Sequence, residues 1–411
     1  MDHVLTLDMY QTAGVGVLAL IVGMYLTRKI HFLKHFCIPA PVSGGLLFSL
    51  LALALHSLFQ VDFSFDGTIK DICMMIFFTS VGFQSNFKVI RQGGRALAVI
   101  VLLMIVLIIL QNGVAVGIAK AMGQNPLLGM AAGSIPMIGG HGTAGGFSSL
   151  LESMGLENSS SVMMAAATFG LVAGSLLGGP LAELLIKRYN LSETSAEDDV
   201  MLGMEATDAS PEAKQEYSQS GEKTFRDVTK AVYVLLITMA LGMGLSKLLR
   251  MTGITFPTYF GTLLMGAIIR NCIEMKSEWA KSISIDKVIS FGNISLSLFL
   301  GMAMITLKLW ELAALALPLC AILLAQVILL ALFSVFAAFP LLGKDYDSAV
   351  LVSGICGFGL GATPNAMANM SAVCFKYRYA VRPFVIVPIV GAMFVDIINT
   401  TVITLFLNVI A

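Results

Sequence analysis

The stretch GGHGTAGG, residues 139–146, decides how this chain folds. It contains five glycines, one histidine and one threonine, and it lies between two apolar runs. The chain has 411 residues, of which 57% are hydrophobic and only 12% are charged, and its mean hydropathy is +0.87. A typical soluble domain carries about 25% charged residues. The composition therefore predicts an all-α polytopic membrane protein, in which this polar, glycine-rich break falls inside the bilayer.

Apolar runs of the length of a membrane helix recur along the whole chain. A spanning helix needs about 20 mostly apolar residues. Ten runs are candidates, namely 9–27, 40–58, 71–86, 95–122, 160–186, 229–250, 256–271, 287–306, 311–339 and 383–408. Two further apolar stretches, 126–150 and 347–374, are interrupted by Gly and Pro. These two stretches are not expected to form single helices.

Basic residues predict the orientation of the chain. Lys and Arg follow the first, third and fifth spans, lie between the seventh and eighth, and precede the tenth. Because basic loops stay cytoplasmic, both termini are expected in the periplasm of an inner-membrane protein. The polar stretch 190–227, rich in Ser, Glu, Asp and Ala, predicts a flexible cytoplasmic linker. It divides the chain into a first part, 1–189, and a second part, 228–411.

The two parts resemble each other. GQNPLLGMAAGSIPMIGGHGTAGG begins at Gly123, and GKDYDSAVLVSGICGFGLGATPNA begins at Gly343. When the two are aligned, Gly139 coincides with Gly359, and Thr143 with Thr363. Each part holds five predicted spans and one interrupted stretch. Since five is odd, the parts must have opposite orientations, which predicts two inverted-topology repeats of five transmembrane helices, as in many secondary transporters.

The interrupted stretches predict two re-entrant helical hairpins, at about 126–155 and 347–374. Non-helical backbone at membrane depth is tolerated only when it is buried in protein or lines a wet cavity. Half-helices that start near Thr143 and Thr363, both N-cap residue types, would present N–H groups suited to a carboxylate. The half-helices before them end in free carbonyls suited to sodium. A small anion with sodium is therefore the expected ligand pair.

A few polar residues in apolar runs need individual interpretation. His141 could titrate, contact the substrate, or hold its hairpin together. Asp396 is a carboxylate in mid-span, which is costly and so functional by default. It could ligate sodium, pair with a substrate ammonium, carry a proton, or serve packing. Asn399 lies one turn further on the same face. Asn293 could act in the site or join helices.

The resulting predicted site has two parts. The predicted substrate contacts are Ser134, Gly140, His141, Gly142, Thr143, Thr363 and Asn365. The predicted sodium ligands are Gly357, Gly359, Asn369, Asp396, Asn399 and Asn293. No catalytic residue is predicted, because His141 has no evident nucleophile or metal partner at a suitable spacing, so an enzyme is not expected. The net charge of zero predicts no nucleic-acid partner.

These motifs resemble those of the bacterial sodium/glutamate symporter family. The similar stretches are PAPVSGGLL, FFTSVGFQSN, GSIPMIGGHGT, ATFGLVAGSLLGGP, GNISLSLFLGMAMITLKLWELAALALPL, CGFGLGATPNAMANM and VPIVGAMFVDIIN. The resemblance implies sodium-driven glutamate uptake across the bacterial inner membrane, with sodium co-transported rather than held as a prosthetic group. It also implies an elevator-like motion and a homodimer. A carrier of another di- or tricarboxylate and a channel with paired re-entrant loops are the alternatives.

Overall fold

The computed structural model describes residues 3–36, 38–85, 94–191, 217–253, 256–275, 283–312 and 315–410. Within these residues, seven helices are long and apolar enough to cross a membrane. The molecule is therefore a mostly helical, multi-pass membrane protein, as the composition predicts.

The first part of the chain contains nine helices among the described residues. They are α1 (Met9–Lys29), α2 (His31–His35), α3 (Ala40–Phe59), α4 (Thr68–Gly82), α5 (Gly94–Ala121), α6 (Pro126–Ala131), α7 (Ser134–Met137), α8 (Gly140–Ser153) and α9 (Ser159–Arg188). The interrupted run α6–α7–α8, residues 126–153, is named the first broken segment. It breaks between α6 and α7 and again between α7 and α8.

The second part contains ten helices among the described residues. Its described helices are α10 (Tyr217–Arg250), α11 (Phe260–Met275), α12 (Ile285–Ile305), α13 (Leu309–Leu312), α14 (Ala316–Phe333), α15 (Phe339–Leu342), α16 (Tyr346–Gly359), α17 (Thr363–Lys376), α18 (Val381–Val390) and α19 (Asp396–Ile410). Two short π-helical segments, Ser334–Ala338 and Gly391–Val395, join α14 to α15 and α18 to α19. The pair α16–α17, residues 346–376, is named the second broken segment.

Four of the ten predicted spans differ from long, regular helices. One of them, 311–339, contains the first π segment, Ser334–Ala338. α4 has 15 residues and α11 has 16. At 1.5 Å per residue, such helices fall short of a hydrocarbon core about 30 Å thick. The last predicted span, 383–408, is divided by the second π segment, next to Pro388. Pro and π-helical turns are the usual causes of such interruptions.

The predicted linker extends too far at its C-terminal end. Residues 192–216 lie outside the described residues, but α10 begins at Tyr217, inside the predicted range 190–227. The stretch 217–227 contains Gln, Glu, Lys and Arg, which are good helix formers. It therefore continues the helix of the following span beyond its apolar part.

Two short strands pair in parallel, which the sequence did not predict. β1 (His3–Leu7) precedes α1, and β2 (Val61–Phe65) lies between α3 and α4, with His3 opposite Val61 and Leu7 opposite Phe65. Each strand has only five residues, and its partner is distant in sequence. Such a short run carries too little periodicity to predict its pairing.

The helices form two packed groups. The scaffold group consists of α1, α3, α4, α10, α11 and α12, which are the first three spans of each part. The core group consists of α5, the first broken segment, α9, α14, the second broken segment, α18 and α19. Contacts between the groups include those of α12 with α8 and of α11 with α19. Helices from both parts of the chain thus contribute to each group.

Segments that the sequence predicts on the same side of the membrane contact each other in the structure. The His56 ring at the end of α3 stacks on Trp310 of α13, with centroids 4.1 Å apart. The Lys308 backbone N–H donates to Ser161 Oγ, at the start of α9, over 3.2 Å. The sequence places all these loops outside. The contacts agree with that grouping, while the sidedness itself remains a prediction.

Glycines allow close helix packing in the scaffold group. A side chain on Gly44 of α3 would meet the carbonyl of Ala19 on α1, and one on Gly23 would meet the carbonyl of Ala40. A side chain on Gly16 would meet Met302 of α12. Small residues at such crossings let helix backbones approach in a membrane, where packing replaces the hydrophobic effect.

Gly44→Ala should destabilise the scaffold group, because its new methyl group would overlap the α1 backbone. Overpacking of this kind costs about 1–3 kcal/mol. We expect a lower thermal unfolding midpoint in detergent. Gly14→Ala is the matched control, since a side chain at Gly14 on α1 would meet nothing within 4 Å. Equal midpoints for the two variants would contradict this packing.

Candidate functional site

A cavity of about 350 Å³ lies where the two broken segments meet. Its volume is at the lower end of the range typical of small-molecule sites. The core group contributes Ile138, Gly139, Gly140, His141, Gly142, Leu171, Phe358, Gly361, Ala362, Thr363, Pro364, Asn365, Gly391, Val395 and Asp396. The scaffold group contributes Pro39, just before α3, and Phe77, Asn293, Leu296 and Leu300. The cavity is thus enclosed between the two groups of helices.

The tips of the broken segments touch each other. We define the first tip as residues 139–142 and the second tip as residues 361–365. A Cβ built on Gly140 would lie 3.2 Å from the carbonyl oxygen of Gly361. Gly140 has φ +61°, in the left-handed region that glycine adopts without a steric penalty. Glycine at this position therefore permits both the turn and the close approach of the second tip.

Both tips present the starts of helices. α8 begins at Gly140 and α17 at Thr363, and neither has a side-chain hydrogen bond at its N-cap. The expectation that Thr143 and Thr363 act as N-caps is therefore wrong. The N-caps are Gly139 and Ala362, because the glycine at 140 starts α8 earlier, and Thr363 already forms the first turn of α17. Without a capping side chain, first-turn N–H groups remain suited to an anion.

Among the described residues, Asp396 is the single acidic one that lines the cavity. It begins α19, directly after the second π segment. It forms no hydrogen bond or ion pair with any residue that the structure describes. The lining residues that the structure describes also include no Lys or Arg. An unpaired carboxylate at this depth is costly, so a cation is its expected partner.

The His141 ring is held by α9. Its Nε2 lies 3.0 Å from Thr168 Oγ1, and the Thr168 hydroxyl donates to the carbonyl of Met164 over 2.9 Å. Since a hydroxyl has one proton, Thr168 accepts here, and Nε2 carries the ring proton. In the neutral ring, Nδ1 is then left as an acceptor. His141 lines the cavity, so both of its predicted roles, structural and substrate-binding, are compatible with its position.

Asn365, the last residue of the second tip, has a buried side-chain oxygen that can accept a hydrogen bond. Its Nδ2 donates to the carbonyl of Leu171 on α9 over 2.9 Å. Its Oδ1 is buried and has no hydrogen-bond partner within the described part of the chain. A buried amide oxygen without a donor is unfavourable, and a bound ligand can satisfy it. Asn293, in contrast, is exposed and reaches the cavity from the scaffold group.

Seven of the predicted site residues therefore line one cavity, and six do not. The seven are Gly140, His141, Gly142, Thr363, Asn365, Asp396 and Asn293. The other six are Ser134, Thr143, Gly357, Gly359, Asn369 and Asn399. They surround the tips within the core group, with most of their polar atoms engaged in protein contacts.

The carbonyls predicted to bind sodium are already hydrogen-bonded. The Gly357 carbonyl accepts from the Ala362 N–H over 3.2 Å, and the Gly359 carbonyl accepts from Gln111 Nε2 over 2.8 Å. Asn369 Nδ2 donates to the carbonyls of Gly174 and Ser353. These groups therefore hold the second broken segment in place rather than face the cavity.

The first broken segment is held in a similar way. Thr143 is buried in the first turn of α8. The Ser134 carbonyl accepts from Asn399 Nδ2 over 3.1 Å, and Ser134 also bonds to Asn112. Asn399 Oδ1 is buried without a partner among the described residues.

Sequence reasoning missed two kinds of residue. The scaffold wall of the cavity, Pro39, Phe77, Leu296 and Leu300, gives no signal, because apolar residues in apolar runs are ordinary. The adjacent amides Gln111 and Asn112 did give one, since they interrupt the long apolar run 95–122 near its middle. Within the described residues there is no cluster of His, Cys, Asp and Glu suited to a tightly held metal.

Comparison with known proteins identifies the family of this chain. The sodium/glutamate symporter family model matches residues 5–379. The sodium/glutamate symporter of Escherichia coli (strain K12) is 38% identical over 405 residues, which cover 98% of each protein. That of Haemophilus influenzae is 35% identical over 395 residues, 96% of each protein. These relatives are named as symporters, which are transporters and not enzymes. The chain belongs to the sodium/glutamate symporter family.

Proposed function

We propose that this protein is a sodium-coupled symporter that imports glutamate. The observation that carries the proposal is the carboxylate of Asp396, in a cavity lined by both tips. Among the described residues, this carboxylate has no partner and no Lys or Arg lines the cavity. An acidic amino acid and a cation together supply the charges that such a cavity needs. The names of the relatives, both sodium/glutamate symporters, support the same substrate and the same ion.

The substrate carboxylates would dock on the two helix starts. The first turns of α8 and α17 present N–H groups and a partial positive charge, equivalent to about half an elementary charge per helix. Gly140, His141 and Gly142 would contact the substrate from the first tip, and Thr363 and Asn365 from the second. Glycine in the first tip would allow the substrate to approach the backbone closely.

Sodium would neutralise the remaining negative charge. Glutamate carries a net charge of −1 and Asp396 adds another, while no basic side chain lines the cavity in the part of the chain that the structure describes. Asp396 would bind either sodium or the substrate ammonium, with Asn293 as a neighbouring oxygen ligand. Sodium binding first would reduce the repulsion between Asp396 and the incoming anion. This order makes transport dependent on the ion.

The two groups of helices suggest an elevator-like motion. The core group carries both tips, the helix starts and Asp396, while the scaffold group supplies mainly an apolar wall. In the proposed cycle, the core group would slide along that wall and expose the cavity to each side in turn. The broken segments would be re-entrant hairpins of two inverted repeats, 1–189 and 228–411.

The scaffold group would form the contact of a homodimer. Apolar side chains on α1 and α3, including Leu18, Val22, Leu47 and Leu51, are exposed and suited to lipid or a second copy. The proposed location is the bacterial inner membrane, with both termini periplasmic, which the positions of Lys and Arg support.

Uptake of labelled glutamate into proteoliposomes should require an inward sodium gradient. The reason is that no positively charged side chain among the described lining residues can balance the second carboxylate of glutamate. Replacement of sodium by choline should remove uptake, and excess unlabelled L-glutamate should compete more strongly than malate or citrate. Unchanged uptake in choline would contradict sodium coupling, and stronger competition by citrate would favour a carrier of carboxylates without an amino group.

Asp396→Asn should reduce transport at least about 30-fold, since removal of one partner of a buried charge pair costs 2–5 kcal/mol. The measurement is the initial rate of sodium-driven uptake, normalised to the protein recovered folded in the membrane. Asp286→Asn is the control, because Asp286 is exposed at the start of α12, away from the cavity. Normal sodium dependence in Asp396→Asn would exclude Asp396 from the cation site.

A further inference from the structure

Gln111 and Asn112 are consecutive amides in the middle of an apolar helix. They lie within the span Leu97–Ala121 of α5, and both are fully buried. Neither lines the cavity. Buried amides in a span are costly unless their hydrogen bonds are satisfied, so their partners indicate why they are there.

Asn112 satisfies a break in the first broken segment. Between α6 and α7 the helix is interrupted at residues 132 and 133. Asn112 Oδ1 accepts from the backbone N–H of Ser134 over 2.9 Å, and its Nδ2 donates to Ser134 Oγ over 2.8 Å. The side chain thus replaces a helical hydrogen bond that the break removes. Ser134 lies at the start of α7, the short helix that leads into the first tip.

Gln111 satisfies a break in the second broken segment. Its Nε2 donates to the carbonyl of Gly359, the last residue of α16, over 2.8 Å. Gln326 on α14, also fully buried, donates from its Nε2 to the main-chain carbonyl of Gln111 over 2.9 Å. The second tip begins two residues after Gly359. One span therefore holds both broken segments through neighbouring residues.

We propose that Gln111 and Asn112 are positioning residues that fix the two tips at the separation required for sodium and substrate to bind together. Two consecutive positions of one α-helix have a fixed spacing, so bonds from them hold Ser134 and Gly359 in a constant relation. The inference rests on the proposed symport function. It adds that the amide pair on α5 couples the binding of sodium to the binding of the substrate.

The physical reason for coupling is that each ligand would contact both tips. Sodium binding that orders one tip favours substrate binding only if the other tip is held in register. In thermodynamic terms, this is a coupling free energy between two binding events. Loss of one bond would let one segment shift and would leave either the Ser134 N–H or the Gly359 carbonyl without this partner, which is unfavourable for a buried polar group.

A purely structural role would give a different result. It would lower the stability of the protein, while the ratio between glutamate affinity at saturating sodium and at low sodium would stay the same. A positioning role lowers that ratio. The ratio, called here the coupling factor, therefore separates the two interpretations.

The experiment measures the binding of labelled glutamate to the purified full-length protein in lipid nanodiscs, at low and at saturating sodium. The variants are Gln111→Leu and Asn112→Leu. The matched control is Asn271→Leu, because Asn271 Nδ2 also donates to a carbonyl of another segment, that of Ser85, over 2.8 Å, but within the scaffold group. Thermal unfolding of each variant is measured in parallel.

We expect the coupling factor to fall about five-fold in both core variants, within the range of coupling changes seen for residues between sites. It should stay at the wild-type value in Asn271→Leu, even if that variant unfolds at a lower temperature. Wild-type coupling factors in Gln111→Leu and Asn112→Leu would overturn the inference. A wild-type protein whose glutamate affinity ignores sodium would instead contradict the proposed function.

A milder variant covers the case in which a leucine variant does not fold. Gln326→Met removes only the bond to the Gln111 carbonyl and keeps both direct bonds from α5. A coupling factor about two-fold below the wild-type value would support the inference. An unchanged factor, with the leucine variants unfolded, would assign the three amides to folding alone and so overturn it.

Discussion

The structure depends on one constraint, which is that backbone N–H and C=O groups inside a membrane protein must find hydrogen-bond partners. An unbroken helix meets it internally, but a helix that stops inside the bundle does not. Both broken segments stop there, the first at residues 132–133 and again at 138–139, and the second at 360–362. Side-chain amides from neighbouring helices supply the missing partners, with Gln111 bonded to Gly359, and Asn112 and Asn399 bonded to Ser134. The first-turn N–H groups of α8 and α17, at the two tips, have no capping side chain, and a polar ligand can serve as their hydrogen-bond partner.

This constraint also explains why the cavity is asymmetric. The core group provides helix starts, the Asn365 oxygen and the Asp396 carboxylate. The scaffold group provides one polar side chain, Asn293, in a wall that is otherwise apolar, formed by Pro39, Phe77, Leu296 and Leu300. A polar wall can hold an ion and a charged substrate, and an apolar wall binds neither strongly. In the proposed elevator-like motion, the polar surface of the core group would move past the mainly apolar scaffold group. The close glycine packing of α1 with α3 would keep the scaffold group rigid during this motion.

The sequence predicted the parts of the site that break a pattern. Asp396 stood out as a charge in an apolar run, and the tips stood out as glycines between apolar stretches. It could not predict which polar atoms face the cavity, because this depends on packing between distant helices. Gly359 has the right chemistry for sodium, yet its carbonyl accepts from Gln111, and Asn399 lies outside the cavity with its Nδ2 bonded to Ser134. The two strands were missed for a related reason, since five-residue runs pair only through contacts that the whole bundle creates.

The central claim is that the two tips and Asp396 form one ligand cradle. The most direct measurement is a cryo-electron microscopy map of the protein in lipid nanodiscs, with sodium and glutamate at saturating concentrations, compared with a map in choline alone. The account predicts substrate density between the starts of α8 and α17, and a cation peak beside the Asp396 carboxylate, both absent in choline. Separated tips, or substrate density away from residues 139–142 and 361–365, would contradict it.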